Sequence, residues 1–120
     1  MKNIVSVFSL MVVLVFASCA TSQTAKSALT TESFTVAGVC GMCKKRIEMA
    51  AFGIRGVNSA VYNVDKQTLT VTFDGQKANV PAIQQQIAAA GHDTEKYKST
   101  DVAYGKLPAC CRYKEGNEKH

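Results

Sequence analysis

Tryptophan is absent from the 120 residues, proline and histidine occur twice each, and the nine acidic residues are spread too thinly to form a facing pair of carboxylates. No Ser, His and Asp set offers a nucleophile with its base, so hydrolysis has no candidate residues and the chain reads as a binding protein, not an enzyme. Fourteen lysines and arginines give a formal charge of +5, but they are scattered and form no stripe, which removes nucleic acid as a partner. An internal repeat and a second block of core-forming residues are also missing. A chain of this size buries one modest core.

One long apolar run is present, Ile4 to Phe16, broken by Ser6 and Ser9 and preceded by Lys2, its only charge. It is too short to cross a bilayer as a stable helix and has the polarity of an export signal. Its end, Leu14-Val15-Phe16-Ala17-Ser18-Cys19, resembles a bacterial lipobox, which implies that Cys19 is lipidated and becomes the mature N-terminus. Phe16 departs from the usual Leu, leaving ordinary signal-peptidase cleavage as the alternative. Residues 1–18 are thus expected to be a lipoprotein signal peptide, and the mature protein to face the periplasm, held to the membrane of the cell envelope by its N-terminal lipid. Residues 19–31 are polar, small and without periodicity, and read as a flexible tether.

With Cys19 set aside, four of the five cysteines remain: Cys40, Cys43, Cys110 and Cys111. A bridge within either pair closes so short a loop that it removes little chain entropy, so neither is a structural staple. Cys40-Gly41-Met42-Cys43 lies where an extended apolar segment, Phe34 to Val39, gives way to a helical run from Lys44. Thiols at such a junction sit beside unsatisfied N–H groups and the positive end of the helix dipole, which favour thiolate. Thiolates bind soft metal ions or attack disulfides.

Alternation of Phe34 and Val36 with Thr35 and Ala37 predicts a first strand over 32–37. From Cys43 the period becomes helical, with Ile47, Ala50, Ala51 and Ile54 inward and Lys44, Lys45, Arg46 and Glu48 outward, until Gly53 and Gly56. Val57, Ala60, Tyr62 and Val64 predict a second strand entered through an irregularity. After a turn at Asp65-Lys66-Gln67, Leu69, Val71 and Phe73 alternate with Thr68, Thr70 and Thr72 as a third. Asn79 is the expected N-cap of a second helix carrying Pro81 in its first turn, with Val80, Ile83, Ile87 and Ala90 inward and Gly91 as its stop. Residues 93–98 are expected as a short edge strand, residues 101–113 as an appended tail and 114–120 as frayed. Phe34, Tyr62, Phe73 and Met49 are assigned to the core. This order gives an α+β, ferredoxin-like βαββαβ fold, a four-stranded antiparallel sheet with both helices on one face and a short C-terminal tail.

Val36 to Cys43, then Ile47-Glu48, Gly56-Val57, the strand positions through Phe73, and Ile83, Ile87 and Ala90-Gly91 together resemble the heavy-metal-associated domain, the family of copper metallochaperones, copper-ATPase N-terminal domains and periplasmic mercury-binding proteins. The resemblance covers roughly residues 33 to 97. It implies a βαββαβ domain, bounded here as 32–98, whose Cys40 and Cys43 hold one soft ion on a loop and pass it to a metal-transporting ATPase or another envelope acceptor. The usual Gly-Met-Thr-Cys approach is replaced by the shorter Gly38-Val39-Cys40, so that Val39 takes the buried Met's place and Met42 stands between the thiols. Residues 99–120 form a Cys-containing extension outside the minimal domain.

Two thiolates suit Cu(I), which is satisfied by two sulfurs, whereas Zn(II) prefers four ligands. Should Cys110 and Cys111 fold back to the same pole, Zn(II), Cd(II) or a Cu(I) cluster also fits, and Hg(II) is implied by the mercury-binding relatives. The tail pair otherwise forms a labile vicinal disulfide or pins the tail. His92, in the loop after the second helix, is an additional ligand candidate or an ordinary loop histidine; His120 needs no role. Lys44, Lys45 and Arg46 present either a solvated face or a surface for an acidic partner. The rival chemistry at Cys40 and Cys43 is thiol-disulfide exchange. No Trp precedes Cys40, however, and neither Pro81 nor Pro108 leads into a strand, as a thioredoxin-like oxidoreductase would require.

Overall fold

The computed structural model describes residues 28–120; the expected leader, Cys19 and the tether as far as residue 27 lie outside the described residues. Strand β1 spans Leu29–Thr35, β2 Val57–Asn63 and β3 Thr68–Asp74. They form an antiparallel sheet in the order β1-β3-β2, and β3, whose Leu69 and Val71 are fully buried, is its centre. β1 begins three residues before the expected position, drawing Leu29–Thr31 out of the tether. Its polar face explains this: hydroxyls pair across to β3, Thr31 with Thr72 at 2.9 Å and Ser33 with Thr70 at 2.8 Å, while Phe34 packs inward opposite Leu69. β2 enters through a register shift between Val57 and Ser59. Gln67, at φ 49°, closes the β2–β3 turn.

Helix α1, Gly41–Phe52, starts earlier than its period suggested, because Cys40 caps it: the Cys40 sulfur accepts from the Cys43 N–H at 3.4 Å. No acidic side chain occupies its first turn, so the positive end of its dipole is left to the thiols. Cys43, Ile47 and Ala51 form the buried stripe. Met49 is 62% exposed and does not join the core, since it falls on the face away from that stripe. Glu48 accepts from the Tyr62 N–H at 2.8 Å and from Lys44, whose ammonium also donates to the Tyr62 carbonyl, so part of the charged face ties α1 to edge strand β2.

Helix α2, Val80–Ala89, has Asn79 as N-cap, accepting from the Ala82 N–H at 2.8 Å, and Pro81 in its first turn, and it packs beside α1 with Ile83 and Ile87 fully buried. The chain then turns through Gly91 at φ +103°. A Cβ there would lie 2.9 Å from the Ala103 carbonyl and 3.0 Å from Leu107, so the position needs glycine twice over.

The expected fourth strand over 93–98 is not formed. A single bridge pairs Val36 with Thr94, held by Ala37 N–H to Asp93 O at 2.8 Å and Glu95 N–H to Thr35 O at 3.2 Å. Beyond it, polar side chains capture the backbone locally. Thr94 N–H donates to Tyr97 O at 2.7 Å, the Thr94 hydroxyl accepts from Tyr97 N–H at 2.9 Å, and Asp93 accepts from Ser99 N–H at 2.8 Å. These bonds close a turn where a ladder would otherwise run.

The extension is folded. Helix α3, Asp101–Gly105, is capped by Thr100 and leads through buried Leu107 into single 3₁₀ turns at Ala109–Cys111 and Tyr113–Glu115. Its end, expected to fray, is tied down. Asn117 donates to Ala109 O at 2.8 Å, Lys119 to Asp65 O at 2.8 Å, and the His120 N–H to Val39 O at 2.8 Å.

Candidate metal centre

Gly38-Val39-Cys40 approaches α1 over the side chain of Tyr62, which is 1% exposed. The Tyr62 hydroxyl donates toward Val36 O at 2.7 Å and Gly38 O at 3.2 Å, and Gln67 Nε2 adds a bond to Gly38 O at 3.1 Å. A Cβ on Gly38 would stand 2.9 Å from the Tyr62 hydroxyl oxygen, 3.0 Å from Ile47 and 3.1 Å from the Cys43 Cβ, so this glycine lets the loop lie flat on the core. Val39 is buried, as the place of the missing Met requires. Strand alternation assigns Tyr62 only to the core; the signal for its second role is a hydroxyl on a strand position that alternation buries completely.

The four described cysteines are free thiols that form a chain of contacts. Cys40 Sγ is 3.2 Å from Cys43 Sγ and 3.5 Å from Cys111 Sγ; Cys111 Sγ is 3.9 Å from Cys110 Sγ, which is 3.5 Å from the Met42 thioether. The sulfurs of Cys40, Cys110 and Cys111 all lie within 4.8 Å of one another, the kind of convergence that holds a metal ion. Cys43 and Cys111 are fully buried and Cys110 is half-buried. The extension thus brings its cysteine pair back to the CxxC loop.

Burial alone would raise the Cys40 thiol, but the Cys43 N–H and then the Cys43, Cys111 and Cys110 thiols donate to its sulfur and bring it down to about 7. Burial raises Cys43, and burial with the two neighbouring sulfurs raises Cys111. Cys40 is therefore the sulfur that ionises first among these three, gaining its charge as the pH rises through about 7. His92 is buried but stands outside the group of converging ligand atoms. Its Nδ1 lies 2.8 Å from the Ala37 carbonyl, which can only accept, so Nδ1 carries the proton, and the ring stacks on Tyr113 at 5.7 Å between centroids. Desolvation lowers its basicity and keeps it neutral. Nε2 has no hydrogen-bond partner among the described residues. His92 thus props the Ala37 end of the approach.

Residues 33–93 match the heavy-metal-associated domain family. The chain belongs to that family. A copper chaperone, CopZ, of Staphylococcus aureus is 35% identical over 54 residues, covering 45% of this chain and 79% of the chaperone. A copper-transporting ATPase of Rhizobium meliloti is 27% identical over 78 residues, covering 64% of this chain but only 9% of the ATPase. Among solved structures, oxidized MerP from Ralstonia metallidurans superposes with a TM-score of 0.54 at 26% identity, over 57% of this chain and 96% of MerP. These likenesses give the α+β heavy-metal-associated fold, with three strands and two packed helices here. Cys110 and Cys111 lie beyond the stretch that matches the family.

Proposed function

We propose that this protein is an exported soft-metal carrier that binds Cu(I) through the thiolates of Cys40 and Cys43 and sequesters it or hands it to an acceptor. The observation that carries the reading is the contact of Cys40 and Cys43 at 3.2 Å at the capped N-terminus of α1, in a chain resembling a copper chaperone and a copper-transporting ATPase. Soft thiolates select Cu(I), and an ion held by few ligands leaves by ligand exchange when another thiolate approaches. Hg(II), Zn(II) and Cd(II) are competitors for the same sulfurs. Lipidation at Cys19 would anchor the carrier to the envelope membrane, facing the periplasm. Exposed Lys45 and Arg46 beside Met42 and Met49 offer a basic, partly apolar surface to an acidic acceptor such as a metal-transporting ATPase domain.

The test is anaerobic competition for Cu(I) between the reduced protein and a Cu(I) chelator. The wild-type protein is expected to take at least one equivalent from the chelator, and Cys40→Ser/Cys43→Ser to lose that uptake. Equal uptake by the double variant would refute the reading.

A further inference from the structure

We propose that the C-terminal extension enlarges the family's two-thiol site into a binuclear centre that takes up two Cu(I) ions per chain, bridged by Cys40. The inference rests on the Cu(I) reading above and deepens it. Its basis is the order of the sulfurs. Cys40 is the shared corner, and Cys111 lies 3.5 Å from it. On one side of Cys40 lies Cys43, at 3.2 Å. On the other side lie Cys111 and Cys110, within 4.8 Å of Cys40 and of each other, with Cys110 backed by the Met42 thioether at 3.5 Å.

A pair and a triangle that share the Cys40 sulfur describe two soft-ion positions with a bridging thiolate, an inner one between Cys40 and Cys43 and an outer one closed by Cys110 and Cys111. A single tetrahedral divalent ion fits this arrangement less well. Four thiolates around Zn(II), at about 2.3 Å each, need all sulfurs about 3.8 Å apart. Cys43, however, falls outside the set whose sulfurs lie within 4.8 Å of one another. The Met42 thioether adds a soft ligand that suits Cu(I) and lies outside the Cys, His and carboxylate set that binds Zn(II). Burial also separates the positions. Cys43 and Cys111 are closed from solvent, while Met42 is 52% exposed and Cys110 half-buried, so the outer position faces the route by which an ion arrives or leaves.

The extension is built to hold this geometry. Leu107 is packed at Gly91, Tyr113 donates to Gly91 O at 2.9 Å and accepts from Asp93 N–H at 2.9 Å, and Asn117 fastens the Cys110–Cys111 turn through Ala109 O. None of these anchors uses a sulfur, so the thiols are left free for ligands.

Native mass spectrometry of the reduced full chain, titrated anaerobically with Cu(I), reads the stoichiometry directly, and X-ray absorption at the copper edge reads the neighbouring copper. The expected result is a monomer with two copper ions, all-sulfur ligation and a copper–copper scattering shell. Cys110→Ser, at a half-buried position that leaves the fold intact, is expected to hold one ion and lose the copper–copper shell. A wild-type stoichiometry of one per chain, or two ions retained with the shell in Cys110→Ser/Cys111→Ser, overturns the binuclear centre. Either result leaves the two-thiol reading standing, which fails separately if Cys40→Ser/Cys43→Ser still competes for Cu(I) like the wild type. Titration with Zn(II) alone is expected to give weaker binding than Cu(I). A single tightly held Zn(II) displacing two Cu(I) would also overturn the proposal.

Discussion

Cys40 is the residue on which the chemistry turns, because it is both helix cap and sulfur hub. Its thiol is brought to about 7, so it is mostly protonated at pH 6 and mostly thiolate at pH 8, while burial holds Cys43 and Cys111 protonated over the same range. The sign follows: below about 7 a Cu(I) ion must displace the Cys40 proton as well as that of Cys43, and above it one proton fewer. Ultraviolet absorbance of the thiolate in reduced, metal-free protein is expected to rise with a midpoint near 7 and to vanish in Cys40→Ser. Cu(I) affinity should climb more steeply with pH below that midpoint than above it. Tyr62 acts at the same scale. Tyr62→Phe leaves the Val36 carbonyl without the hydroxyl it receives at 2.7 Å, an unmet buried acceptor that costs about 1–3 kcal/mol, seen as a lower Tm and a Cu(I) dissociation rate faster than wild type.

At the scale of elements, the approach loop is set by what cannot be there. Gly38→Ala places a Cβ 2.9–3.1 Å from Tyr62, Ile47 and Cys43 at once. The overpacking is expected to cost about 1–3 kcal/mol in chemical denaturation and to weaken Cu(I) binding, since the loop must lift off the core that positions Cys40. The regular elements were readable from the chain alone. Leu69, Val71 and Phe73 against three threonines could only be a strand, and Asn79 with Pro81 marked a helix start. What escaped was decided by side chains competing for backbone bonds. Thr94 and Asp93 bind their own neighbours and dissolve the expected fourth strand, whereas Thr31 and Ser33 pair with β3 and lengthen β1 into the tether. Met49 lies on the exposed face although its spacing reads as core, because a thioether at helical spacing looks apolar on either face.

Over the whole molecule, the family domain and its extension meet at the sulfurs. The CxxC pair and its family could be read from local spacing, but the contact of Cys40 with Cys111 spans 71 positions, and no local pattern encodes a contact at that separation. Leu107, 2% exposed, is the apolar anchor that makes the meeting possible. Leu107→Ala is expected to destabilise the protein by about 2–5 kcal/mol and, by releasing the tail, to expose Cys110 and Cys111 to alkylation faster than Cys40 and Cys43, as read by mass spectrometry of the labelled peptides.

Carriage of copper by the Cys40 and Cys43 thiolates is tested most directly by metal analysis of the protein isolated anaerobically from the cells that make it. The wild-type protein should come away with copper on reduced thiols, and Cys40→Ser/Cys43→Ser without it. Wild-type protein free of copper, or the same copper content in both, would contradict the account.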